Sequence, residues 1–90
     1  MILKKRVIEV VSIPFKKIVN VKIFKNGKKI SSISNNKLTI YAKKGDVIDV
    51  EAKSFGFYER MEIRVFNENE KLIDSIDNEN GKELLLTQKI

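Results

Sequence analysis

Apolar and polar side chains alternate along this sequence with a period of two, in short runs separated by turn residues. Alternation sends residues i, i+2 and i+4 to one face of a strand, so such runs predict strands with one buried face. Glu59 to Phe66 is the clearest run, with Met61, Ile63 and Val65 on one face and Arg60, Glu62 and Arg64 on the other. Ile18 to Phe24 repeats the pattern through Val19, Val21 and Ile23. Lys37 to Ala42 does so through Leu38, Ile40 and Ala42, and Val47 to Lys53 through Ile48, Val50 and Ala52. Val7 to Ile13 is rich in β-branched residues and stops before Pro14, which cannot donate to a central ladder. Lys71 to Ile76 reads as a shorter strand. Lys82 to Ile90 closes the chain, its Leu84-Leu85-Leu86 compatible with helix or strand.

The punctuation agrees with this reading. Asn26-Gly27 sits between alternating runs, and both residues tolerate the positive φ of a type I′ turn, so a hairpin is expected with a return strand from Lys28 to Ser32. Further turns are expected at Asn35-Asn36, Lys43-Lys44-Gly45-Asp46, Asn67-Glu68-Asn69-Glu70 and Asp77-Asn78-Glu79-Asn80-Gly81. Seven or eight short strands at spacings of about 8–12 residues predict an all-β fold, a small antiparallel β-sandwich or a small barrel. Residues 1–90 are expected to form a single domain, without linker or internal repeat.

Missing residue types narrow the chemistry. The chain has no His, Cys or Trp, so a histidine base, a histidine triad and a cysteine nucleophile are all impossible. Asp46, Asp49 and Glu51 are close enough in sequence to suggest paired carboxylates, but Asp49 and Glu51 fall opposite Ile48 and Val50, on a face with little cleft. Asp74, Asp77, Asn78, Glu79 and Asn80 offer oxygen ligands without the spacing of a calcium loop, and a solvated turn accounts for them. The expectation is a non-enzyme with no catalytic residue, no metal, no cofactor and no small-molecule substrate. The start, Met1-Ile2-Leu3-Lys4-Lys5-Arg6, is basic, but the apolar stretch after it is broken by Glu9, Ser12 and Pro14. No signal peptide, transmembrane segment or membrane partner is therefore expected, and the location would be cytoplasm or virion.

Charge is unevenly spread. Residues 1–45 carry twelve Lys or Arg against Glu9 alone, a net of +11, whereas residues 46–90 carry six bases and eleven acids, a net of −5. The asymmetry predicts contact with an acidic partner, or copies meeting basic face to acidic face, unless interleaved strands mix the charges. Lys, Ile and Asn make up 36 of the 90 residues, the bias of an AT-rich genome.

From Val21 to Tyr58 the pattern Val21-x-Ile23-x-x-Asn26-Gly27, Leu38-x-Ile40, Lys44-Gly45-Asp46-Val47-Ile48-x-Val50-x-Ala52 and Phe55-Gly56-Phe57-Tyr58 resembles the small Ig-like sandwich modules called PEGA-like or carboxypeptidase-regulatory-like domains. The resemblance implies a role in binding or assembly, with no catalytic residues to carry over. Lys53, Phe55, Gly56 and Phe57 also overlap the RNA-recognition strand signature, and the same string is similar to the Lys-Gly-Phe-Gly-Phe strand of cold-shock barrels.

Two functions are expected on these grounds. The first is a structural or accessory subunit of a larger assembly, with a phage virion component (a capsid decoration or appendage protein) as its specific form. The alternative is a small barrel that binds single-stranded nucleic acid, its aromatics stacking on bases while lysines meet phosphates. Both readings place the contact surface at Lys25, Asn26, Lys28, Lys29, Lys43 and Lys44, with Phe55, Phe57 and Tyr58 either stacking or closing the core.

Overall fold

The computed structural model describes residues 2–13, 19–33, 37–54, 60–78 and 83–90. Eight strands occupy them: β1 (Leu3–Ile13), β2 (Val19–Lys25), β3 (Lys28–Ile33), β4 (Lys37–Lys43), β5 (Val47–Ser54), β6 (Arg60–Phe66), β7 (Leu72–Asn78) and β8 (Glu83–Lys89). They form two antiparallel sheets of four strands, ordered β4-β1-β6-β7 and β3-β2-β5-β8. All described strand pairings stay within a sheet. The molecule is thus a β-sandwich and not a closed barrel, which corrects the barrel form of the nucleic-acid reading. The Leu84-Leu85-Leu86 run is strand, because Leu84 and Leu86 meet Ala52 and Val50 in register and fill the core from β8.

The inward faces are those the alternation dictates. Val21, Ile23, Ile40, Ala42, Ile48, Val50, Ala52, Met61, Ile63 and Val65 are all buried, and Ile8 and Val10 of β1 join them. Leu38 packs at the margin of this core. The Val19 side chain lies outside what is described. Burying a Val, Leu or Ile side chain contributes about 1.5–3 kcal/mol, so this single apolar layer is the principal force holding the sheets together.

One boundary differs from expectation. β1 begins at Leu3, four residues before the alternating run, because β4 extends the ladder through Leu3↔Lys43, Lys4↔Ala42, Lys5↔Tyr41 and Arg6↔Ile40. The basic triplet Lys4-Lys5-Arg6 is therefore strand. On the outer face of this sheet Arg64 donates to Glu62 at 2.6 Å and to Glu9, its cross-strand partner, at 3.2 Å. These carboxylates, Glu62 foremost, raise the guanidinium pKa further above its ordinary value.

The sheets pack with β1 against β2, β5 against β6 and β7 against β8. Since β4 lies outside β1 and β3 outside β2, β4 and β3 share one flank of the sandwich, and β7 and β8 share the other. No helix among the described residues is long and apolar enough to cross a membrane.

Candidate functional site

Asn26 and Gly27 take φ of 53° and 81°, the double left-handed turn expected between β2 and β3. Gly45, at φ 96°, turns the chain between β4 and β5. The two turns lie at one end of the sandwich, since Lys25 faces Ile48 in register and β5 starts immediately beyond Gly45-Asp46.

Asn26 locks the turns together. Its main-chain N–H donates to the Val47 carbonyl at 2.8 Å. Its side-chain Oδ1 accepts from the Val47 N–H at 2.9 Å, and its Nδ2 donates to Asp46 Oδ1 at 3.0 Å. Asp46 closes its own turn through Oδ2, which accepts from the Lys43 N–H at 3.0 Å. The last strand is tied in as well: the Gly45 N–H donates to the Ile90 carbonyl, and the Ile90 N–H donates to the Asp46 carbonyl.

Asp46 is the buried charged residue of the described structure, with 4% of its surface exposed. The hydrogen bond from Asn26 and then that from the Lys43 N–H hold its carboxyl below the usual aspartate value. Desolvation opposes them and is the weaker effect, and the charges of Lys25 and Lys43 add to the lowering. Asp46, considered above as one of three carboxylates, is thus occupied in structure. Asp49 accepts from Thr87 at 2.5 Å on the outer face of β5, and Glu51 lies 3.3 Å from Lys53.

Around this tie stand the lysines. Lys28, Lys29, Lys43 and Lys44 are exposed and Lys25 is half-buried; Lys4 and Lys89, which the sequence reading did not single out, are exposed beside them. Among the described residues no ion pair reaches any of these seven side chains, whereas Arg6, Lys53, Arg60 and Arg64 all pair with carboxylates elsewhere. Ile2, Lys4, Lys43 and Lys44 line a shallow open depression at this corner. The geometry brings together Lys25, Asn26, Lys28, Lys29, Lys43 and Lys44. Phe55, Phe57 and Tyr58 lie outside the described residues, and the strands that flank them stop at Ser54 and resume at Arg60, at the far end of the sandwich.

No group of three or more Asp or Glu among the described residues is arranged to hold a metal ion. Asp74, Asp77 and Asn78 are part of strand β7, while Glu79 and Asn80 lie outside the described residues. Asp46 is the residue that sequence reading undervalued: its partner Asn26 is 20 positions away, and the sequence marked it only as part of a turn and as one of three neighbouring carboxylates. Comparison with protein-family models, with curated proteins and with solved structures finds no match to this chain.

Proposed function

We propose that this chain is a non-enzymatic structural or accessory subunit of a larger assembly, and that it docks on an acidic protein surface through its lysine-bearing end. The observation that carries this reading is the pairing of a hydrogen-bonded scaffold with an excess of lysine over carboxylate. Two lysine-rich turns are fixed to each other by Asn26 and Asp46, and no carboxylate among the described residues forms an ion pair with the lysines they present. A preorganised cationic surface loses little conformational entropy on docking and attracts a negative partner at long range. The resemblance of Val21 to Tyr58 to binding and assembly modules supports the same role. A phage capsid decoration or appendage protein is the specific setting proposed, on the strength of the Lys, Ile and Asn bias that an AT-rich genome produces.

A second reading, single-stranded nucleic acid, is favoured by one observation. Tyr41 is 57% exposed on β4, directly opposite Lys5 and two residues from Lys43, so an open ring stands among cations.

Fluorescence anisotropy with labelled polyglutamate and labelled oligothymidylate at low ionic strength tests both. The first reading expects polyglutamate to bind, and the variant Lys25→Glu/Lys28→Glu/Lys44→Glu to bind it at least about tenfold more weakly. Failure of the wild type to bind polyglutamate at low salt overturns it. Preferential binding of oligothymidylate, lost in Tyr41→Ala, replaces it with the second.

A further inference from the structure

Asn26-Gly27 forms the turn between β2 and β3, and the same pair carries covalent chemistry of its own. Asparagine is a thermolabile residue. Its side-chain amide carbon is open to attack by the main-chain nitrogen of the next residue, and glycine, with no Cβ, leaves that nitrogen unshielded. Of the asparagines in the sequence, Asn26 and Asn80 precede glycine, and Asn80 lies outside the described residues. Asn26 and Gly27 are both exposed, and a Cβ built on Gly27 would meet nothing within 4 Å, so no described atom crowds the turn.

The fold holds the reacting groups apart. Ring closure needs the Gly27 nitrogen beside the Asn26 side chain, whereas a left-handed residue turns the next nitrogen away from its own Cβ. Asn26 holds that conformation at φ 53°, and Gly27 continues it at φ 81°. The amide is held as well, because Nδ2 donates to Asp46 Oδ1 while Oδ1 accepts from the Val47 N–H. The Asn26 N–H donates to the Val47 carbonyl, and Lys25 and Lys28 face each other across the turn. Attack therefore requires the turn to open locally, and its rate follows the population of the open form.

We propose that Asn26 is a site of spontaneous deamidation, gated by its bonds to Asp46 and Val47, and that its conversion is a one-way switch that unfastens the two turns. The Gly27 nitrogen bonds to Asn26 Cγ as the Cγ–Nδ2 bond breaks. The attacking nitrogen gives up its proton, and Nδ2 departs as ammonia, leaving a cyclic imide. Solvent water then cleaves the imide at Cγ, giving aspartate, or at the Asn26 main-chain carbonyl, giving isoaspartate. No oxidant or reductant is consumed. Aspartate puts a carboxylate oxygen where Nδ2 stood, 3.0 Å from the buried Asp46 carboxylate, and like charges at that distance repel. Isoaspartate routes the main chain through Cβ and Cγ, which lengthens it between Lys25 and Lys28 and breaks the turn geometry. Both products lose the donor to Asp46. This chemistry is independent of what the lysine end binds.

The test incubates the full chain at mildly alkaline pH, folded and in unfolding urea, with peptide mapping by mass spectrometry and an isoaspartate-specific methyl-transfer label to assign products to Asn26. Conversion in the folded chain is expected to be at least about tenfold slower than in urea, because the open turn is a minor state. Asp46→Ala removes the acceptor of Nδ2, and its folded form, checked by circular dichroism, is expected to convert faster than the folded wild type. Asn26→Asp supplies the aspartate product without incubation. It is expected to melt below the wild type at neutral pH. The repelled carboxyl has a raised folded-state pKa, so its proton stabilises the variant at low pH and is lost as pH rises. The deficit should therefore narrow as pH falls toward about 4. Equal rates in the folded chain and in urea overturn the inference, as does no conversion at Asn26 in urea, or a folded Asp46→Ala that converts no faster. An Asn26→Asp chain as stable as the wild type at neutral pH overturns the switch.

Discussion

Replacing Asn26 separates the two jobs this side chain performs. Asn26 holds a left-handed φ of 53° and makes two side-chain hydrogen bonds, to Asp46 and from Val47. Alanine in that region of backbone space costs about 1 kcal/mol more than a residue at home there. Losing the two hydrogen bonds at a partly solvated tip costs about 1–2 kcal/mol in total. Asn26→Ala should therefore lower stability by about 2–3 kcal/mol, a fall in melting temperature of about 10–20 °C for a domain of this size. Asn26→Gly keeps the turn geometry and should lose only the hydrogen-bond share, about 1–2 kcal/mol. Urea denaturation at neutral pH measures both. The pH dependence supplies a second reading. The folded-state pKa of Asp46 is depressed, so its stabilising contribution is present above the unfolded aspartate value of about 3.9 and is lost as pH falls through the folded value. The Asn26 hydrogen bond is the largest cause of that depression, so Asn26→Gly should show a shallower loss of stability on acidification than the wild type. If Asn26→Ala unfolds within about 0.5 kcal/mol of the wild type, the tie between the turns contributes nothing and the reasoning fails.

Two further substitutions probe the backbone and the core. Gly45→Ala places a Cβ in open space, with nothing within 4 Å, but at φ 96°, so it should cost about 1–2 kcal/mol in denaturant unfolding through backbone strain alone. An unchanged midpoint would show that the turn relaxes freely. Gln88 Oε1 and Arg6 Nε are buried without hydrogen-bond partners among the described residues, and both residues line the same interior gap. Gln88→Met removes one orphaned acceptor at similar volume and should raise stability by about 1 kcal/mol by urea titration; a loss of that size would mean that the two groups are bonded to each other in solution.

Sequence pattern and structure agree most closely where side chains alternate. Met61, Ile63 and Val65 point inward because each sits two residues from the next on a pleated strand, and nothing outside β6 is needed to foresee it. Asn26-Gly27 is equally local, since the turn type follows from which residues accept positive φ. What alternation cannot supply is which strand lies beside which. The pairing of β1 with β4 and β6 depends on how the two sheets close over one core, so the extension of β1 through Lys4 and Lys5 was invisible to a pattern search. The site divides along the same line. The lysines were legible as charge, and their gathering at one end as the company of two turns. The Asn26–Asp46 tie required the strand order, because the two residues, 20 positions apart, meet only once β2 is placed beside β5.

The position of β1 has a bearing on how the chain reaches this state during synthesis. Its two ladders are with residues far along the chain: Leu3 meets Lys43, and Val7 meets Phe66, 59 positions later. At the usual 5–20 residues per second of translation, the apolar run from Val7 to Ile13 waits about 3–12 seconds for its second neighbour, while the hairpin of β2 and β3 closes almost at once. During that wait Lys4, Lys5 and Arg6, directly preceding the run, are the charges that keep one nascent chain from adhering to another. The basic triplet thus guards the first strand before it becomes part of a ladder.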